Sequence, residues 1–313
     1  MNLLQTGQKT CHDSAGRQIP CAGSGQDAEY SSGAPWPSPR FELGEGVILD
    51  RLTGLTWLRK ANPAEFPLDW QEALNFIDAM KHERVHGFRD WRLPDRRELR
   101  SLISHQARNP ALPEGNPFTN VFLGWYWTAT TLAGAPGFAW YIHMEGGRTF
   151  YGAKRQYYLV WPVRGLSSML WPAVTEPRFV ETEAIAGGRA IMDRRTGLIW
   201  RRSAGLPGEP ALWEDALEAV RRLNVAESSA GARFWRLPNI NELESLVDLD
   251  RHDPALSPGH PFTGCRGVYW SSTTSMFQPD WAWALYLNKG AVGVGRKSYA
   301  RFHVWPVAGR LGS

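Results

Sequence analysis

The chain has 313 residues, enough for two ordinary domains that each bury a core. Its formal net charge of +4 is spread without a basic tail or block, which argues against nucleic acid as a partner, and no apolar run approaches the roughly 18–20 residues of a membrane span. Sixteen tryptophans, 31 glycines and 22 prolines point to short strands and turns.

Residues 1–40 read as an irregular arm, because "GSGQDAEYSSGAPWPSPR" is too rich in Gly, Ser and Pro for a helix or a long strand. Cys11 and Cys21 lie in this arm. Their spacing is compatible with a small disulfide loop, which implies an oxidising compartment; the alternative is two idle thiols. The opening "MNLLQTGQ" has no basic stretch followed by a long apolar one, so a secretory signal is not visible. Either one was removed beforehand or the chain is cytoplasmic.

Beyond the arm one internal repeat dominates. "ILDRLTGLTWLRK" (Ile48 onward) returns as "IMDRRTGLIWRRS" (Ile191 onward), and "DWQEALNFIDAM" returns as "LWEDALEAVRRL". "WRLPDRREL" returns as "WRLPNINEL", "NPALPEGNPFT" as "DPALSPGHPFT", "YWTATT" as "YWSSTT", and "VWPV" closes both copies. Every pair is offset by 143 or 144 residues, in the same order, so the chain is a tandem duplication. The expected division is an arm over 1–40, domain one over 41–165, a linker over 166–177 and domain two over 178–309.

Each copy takes the same reading. Thr-Gly between apolar runs predicts a hairpin after Asp50 and after Asp193. Trp70, Ala73, Leu74, Ile77 and Met80 recur at helical spacing, as do Trp213, Ala216, Leu217, Val220 and Leu223. In the Trp-Arg-Leu-Pro joint, Pro94 or Pro238 ends an extended segment, and Asp95 or Asn239 then caps a second helix, with Glu98 or Glu242 completing a capping box. Trp91 and Trp235 are expected in the core, and Arg92 and Arg236 are expected to pair with carboxylates. The last third of each copy reads as short strands joined by Gly turns. Early helices and late strands make each unit α+β, mostly antiparallel.

Together these six ordered motifs, matched twice, resemble the Lcl C-terminal domain family, and the likeness covers about four fifths of the chain. The arm is also similar to leaders found before such domains in secreted bacterial proteins. The resemblance implies a C-type-lectin-like fold, distantly similar to the formylglycine-generating-enzyme-like proteins. It also implies an extracellular or cell-surface setting and adhesion or glycan recognition. It supplies no catalytic residues.

A search for chemistry finds little. Oxidase chemistry of the formylglycine-generating type uses a cysteine pair late in the domain, and only Cys265 stands there. The eight histidines do not recur between copies, and His82 with His86 has no identifiable third zinc ligand. Asp50 with Asp193, Glu98 with Glu242 and Glu72 with Asp215 do recur, and are assigned to a turn, a helix cap and a solvated helix face. Asp248, Asp250 and Asp253 form a weak candidate for calcium, but domain one keeps none of the three. Neither a catalytic residue nor a cofactor is expected.

Six tryptophans of each copy align with one another and are assigned to the core. Trp36 and Trp171 are expected to staple the arm and the linker to a domain. Trp125 and Trp281 face no tryptophan in the other copy and are candidates for stacking on a sugar or a partner. Arg148, Tyr151, Lys154 and Arg155, and in domain two Arg296, Lys297 and Tyr299, interleave cations with aromatics, suited to a sulfated or carboxylated polysaccharide. The competing reading is a solvated strand edge. The expected function is non-enzymatic binding of an anionic surface or matrix glycan. The alternatives are a structural or coat subunit of a surface appendage or filament, assembling with protein partners or with itself, and an uncharacterised hydrolase.

Overall fold

The computed structural model describes residues 3–167, 170, 176–185, 188–206, 210–227 and 235–309. The chain forms two compact units, Pro35–Trp171 and Met1–Ala34 with Pro172–Ser313. The arm is therefore built into the same unit as domain two, although it precedes domain one in sequence. Trp171 lies outside the described residues.

The arm is more ordered than its composition suggests. Strands β1 (Cys11–His12) and β2 (Gln18–Ile19) pair antiparallel, with Cys11 opposite Ile19, and a one-turn helix α1 (Asp27–Tyr30) follows. Cys11 and Cys21 are joined in a disulfide with Cα atoms 5.3 Å apart. The link fixes the hairpin where Gly-rich sequence gives little intrinsic order.

Domain one opens with β3 (Phe41–Leu43), β4 (Val47–Asp50) and β5 (Thr56–Leu58), and its chain returns to this sheet as β9 (Val163–Arg164) in the order β3-β4-β5-β9. The Asp50 carboxylate organises the hairpin turn. It accepts from the Leu52 amide and the Thr53 hydroxyl, and it pairs with Arg40 at 3.0 and 2.8 Å. Arg40 also donates to the Ser101 carbonyl and lies 4.8 Å over the Trp36 ring, so the residues before β3 belong to this domain. Between β5 and β9 come α2 (Trp70–Glu83) and α3 (Arg96–Ser101), both begun by capping boxes, and then the antiparallel strands β6 (Trp125–Leu132), β7 (Ala135–His143) and β8 (Thr149–Ala153). Glu72, expected on a solvated face, is the third residue of the α2 box: its carboxylate accepts the Asp69 amide and its own amide donates to Asp69.

Domain two repeats the plan. Its sheet is β10 (Phe179–Ile185), β11 (Gly188–Asp193), β12 (Ile199–Arg201) and the final β16 (Val307–Ala308), and between them come α4 (Trp213–Glu227), α5 (Ile240–Ser245), β13 (Val268–Thr274), β14 (Trp281–Tyr286) and β15 (Ala291–Arg296). Asp193 takes Arg178 at 2.9 and 2.7 Å, as Asp50 takes Arg40. Each unit is α+β.

The Trp-Arg-Leu-Pro joint is held by main-chain bonds. Arg92 and Val163 exchange backbone bonds at 2.9 and 3.0 Å, and Arg236 and Val307 do the same, so the joint and the closing Trp-Pro-Val brace each other. The arginines turn inward: Arg92 pairs with Glu98 at 2.6 and 2.7 Å, and Arg236 pairs with Glu242. Eleven of the twelve matched tryptophans are buried, and edge-to-face pairs such as Trp57–Trp161 (5.8 Å) and Trp200–Trp305 (5.5 Å) fill the cores. The exception is Trp70, which is only partly buried.

Candidate binding site

Trp70 begins α2, immediately after the Asp69 cap. Its indole Nε1 donates to the Thr128 carbonyl at 2.9 Å, which holds the ring in place. Lys154, the residue after β8, lies with its ammonium 3.9 Å from the ring centroid and donates to the Thr131 hydroxyl at 3.0 Å. Its own amide is tied to the Gly137 carbonyl, and its carbonyl accepts from the Trp70 amide, both at 2.9 Å. The result is a rigid seat: a cation on an aromatic face with a hydroxyl beside it. Partial burial lowers the Lys154 pKa.

Domain two builds the same seat. Trp213 Nε1 donates to the Ser271 carbonyl at 2.8 Å, Lys297 lies 4.0 Å from the Trp213 centroid, and its ammonium donates to Thr274 at 2.9 Å. Here the arm occupies it. The Lys297 ammonium also donates to the His12 carbonyl at 2.9 Å and to that of Asp13 at 3.4 Å. The Gln8 side chain clips the Thr274 backbone, donating to its carbonyl (2.8 Å) and accepting its amide (2.9 Å). Asp27 accepts from the Thr273 hydroxyl at 2.7 Å, and Asn241 donates to the Leu4 carbonyl at 3.0 Å. Lys297 is 1% exposed and Trp213 is fully buried. Burial pulls Lys297 down to about 7 against the carboxylates of Asp13, Glu214 and Asp280, and burial pushes Asp27 up to about 6.

Two copies of one seat, in one order of elements, mark homologous domains. The family model of the Lcl C-terminal domain matches residues 46–164 and again 189–308. The chain belongs to the Lcl C-terminal domain family. A search of the curated proteins returns no match.

The two Lcl C-terminal domains separate the ligand candidates read from sequence into groups. In the first, Tyr151 packs edge-to-face on Trp140 at 5.3 Å and near Phe138, close to Lys154, while Arg155 is exposed. Trp125 lies elsewhere, opposite His143 at the far end of β7 from Phe138. Five residues of strand make that about 17 Å. Its ring meets Tyr141 at 4.6 Å, His143 at 4.3 Å and Phe150 at 6.4 Å, and the Arg148 guanidinium lies 6.0 Å from it. Burial lowers the His143 pKa. Phe122 and Leu123, just before this strand, are exposed, and sequence reading missed them because isolated apolar residues in a loop carry no periodicity.

In the second Lcl C-terminal domain, Lys297 is corrected from a ligand candidate to a structural residue, since the arm takes its donors. Trp281 is partly buried and pairs in register with Arg296, which is bound to Asp280 at 3.3 Å; Tyr299 is 84% exposed. A groove of about 550 Å³ runs between the arm and α4, lined by Asp13, Glu214, Asp215, Glu218 and Arg221 among others. Four carboxylates make it a poor host for an anion. Asp248 serves its own turn by accepting the Asp250 amide, and Asp253 pairs with His252 at 3.2 Å; among the described residues, no group of three or more His, Cys, Asp or Glu is placed to hold a metal. Cys265 is half-buried, packs against the core of its domain, and has its thiol pushed up by burial, the opposite of an activated nucleophile.

Proposed function

We propose that the protein is a non-enzymatic extracellular binding or adhesion module, and that it recognises an anionic glycan through the Trp125–Arg148 surface of domain one. The observation that carries this reading is the guanidinium of Arg148 beside the partly exposed Trp125 ring. An aromatic face stacks on the apolar side of a pyranose, and a guanidinium grips sulfate or carboxylate by paired hydrogen bonds. Domain two has Val268 in place of Trp125, so the reading assigns the glycan to domain one alone. The Cys11–Cys21 disulfide supports an oxidising, extracytoplasmic setting. The repeated carboxylates support the absence of an enzymatic role, because Asp50 and Glu98 are committed to arginines and Glu72 to a helix cap.

The test is a glycan array followed by a salt titration on wild type, Trp125→Ala and Arg148→Ala. Binding to sulfated or uronate-rich glycans should weaken at least tenfold in either variant and fall with added salt. Wild type that captures no anionic glycan even at low salt overturns the reading. A second reading, a structural subunit that meets a protein partner, is favoured by the exposed Phe122 and Leu123 beside Trp125. It predicts a partner whose binding is insensitive to salt and is lost on Phe122→Ser.

A further inference from the structure

The Lys–Trp–Thr seat is built twice and, among the described residues, filled once. In domain two it holds a polypeptide. Lys297 takes two main-chain carbonyls in succession, from His12 and Asp13, and the Thr273 hydroxyl, which accepts the Ile240 amide, donates to the Asp27 carboxylate. In domain one every part of that device has its counterpart. Lys154 stands for Lys297, Trp70 for Trp213 and Thr131 for Thr274; Thr130, whose hydroxyl accepts the Arg96 amide at 2.9 Å, stands for Thr273. Where the arm makes Trp213, Thr273, Thr274 and Lys297 buried, the matching Trp70, Thr130, Thr131 and Lys154 are all partly exposed. Among the described residues one of the three Lys154 donors is used, and the Thr130 hydroxyl proton has no acceptor.

We propose that the domain-one seat is a peptide-docking site for another protein. It would take an extended segment that offers successive main-chain carbonyls to Lys154 and an acidic side chain to Thr130. Among the described residues the arm fills only the domain-two seat, so the occupant of the second seat is sought in trans. A second copy is the poorer donor, because its arm is better held at home. Arg221 gives the arm a bond to the Gly23 carbonyl (2.7 Å) and Asn239 gives one to that of Ser32 (3.4 Å); their domain-one counterparts are Asp78 and Asp95, which donate nothing there. The domain-one seat thus keeps the central contacts and drops two peripheral ones, as suits a shorter ligand than the arm. The site is distinct from the Trp125–Arg148 surface and does not depend on the glycan reading.

The test uses a fluorescent, oxidised synthetic peptide of residues 3–34 as the probe, titrated into the full chain and followed by polarisation. One site per chain is expected. Lys154→Ala should weaken it at least tenfold, Thr130→Val several-fold, and Arg148→Ala not at all; melting curves verify that each variant is folded. Glycan capture by Lys154→Ala should remain at the wild-type level, so failure here and failure of the glycan reading are separable. The proposal is overturned by an absence of binding, or by binding that ignores both Lys154→Ala and Thr130→Val, which would place the probe on domain two in exchange for the resident arm. A wild-type dimer in the ultracentrifuge that Lys154→Ala dissociates would assign the seat to a second copy and overturn the choice of partner.

Discussion

The Asp27 carboxylate accepts a 2.7 Å hydrogen bond from the Thr273 hydroxyl, across 246 positions of sequence. Both residues are buried, and Thr6 donates to the same carboxylate. Burial outweighs these bonds and raises the Asp27 pKa to about 6. The folded chain therefore holds this proton more tightly than the unfolded chain. The stabilisation is fully present below about pH 4 and is lost as pH rises through about 6. Asp27→Asn keeps an acceptor for both hydroxyls and has no charge to bury. It should melt higher than wild type at pH 8, by the equivalent of about 2–3 kcal/mol, with the gap closing by pH 4. Lys297 has the opposite dependence, losing stability as pH falls through about 7, but it is present in both proteins and cancels in the difference. Thermal unfolding from pH 4 to 8 checks this; a gap that stays constant in acid would refute it.

The disulfide should act on domain two although it lies near the N-terminus. Cys11 and Cys21 close a loop across a sequence separation of 10 that presents His12 and Asp13 to Lys297. Opening it with Cys11→Ser and Cys21→Ser together should cost about 2–3 kcal/mol by loop entropy. Hydrogen exchange should rise in residues 3–34, at the end of β13 and in the first turn of α4, and stay unchanged over 41–165. Equal loss of protection in both domains would contradict the placement of the arm.

Much of the fold was legible because duplication gives each signal twice. Asp95 with Glu98 and Asn239 with Glu242 announced the second helix in both copies, and both capping boxes are present. Paired tryptophans marked the cores for the same reason. Of the arm, only the Cys11–Cys21 link was legible. The arm's order comes from side chain to main chain bonds reaching more than 200 residues away, and such bonds leave no periodicity. Lys297 misled because a lysine among aromatics after a strand reads as an exposed cation, whether a ligand contact or a solvated edge, whereas the arm buries it. The usable signal was that Lys154 and Lys297 recur at the same offset of 143 as Trp70 with Trp213 and Thr131 with Thr274, which the repeat had already matched.

The buried arginine–aspartate pairs set the hairpins. Asp193 has no exposed surface and binds the Arg178 guanidinium twice, while Arg178 also reaches the Ser245 carbonyl at the end of α5. Asp193→Ala leaves that guanidinium buried without its counter-charge, at a cost of about 3–5 kcal/mol. Asp50→Ala should cost a similar amount through Arg40. Chemical denaturation of each variant gives the numbers, and a cost under about 1 kcal/mol in either would mean that the pairs are dispensable.

The two joints differ in burial, and this yields a comparison within one molecule. Glu98 and Glu242 each complete a capping box and each pair with the joint arginine. The Arg92 side chain is 32% exposed, whereas that of Arg236 is 4% exposed, covered on one side by the Tyr30 ring of the arm at 5.7 Å. Water can therefore solvate Arg92 once its carboxylate is gone, but not Arg236. Glu98→Ala should cost about 1–2 kcal/mol, mostly for the lost cap, and Glu242→Ala about 3–5 kcal/mol for the cap and a stranded buried cation. The two alanine variants should be compared by urea denaturation under one set of conditions. Equal costs would mean that the arm does not shield Arg236 in solution.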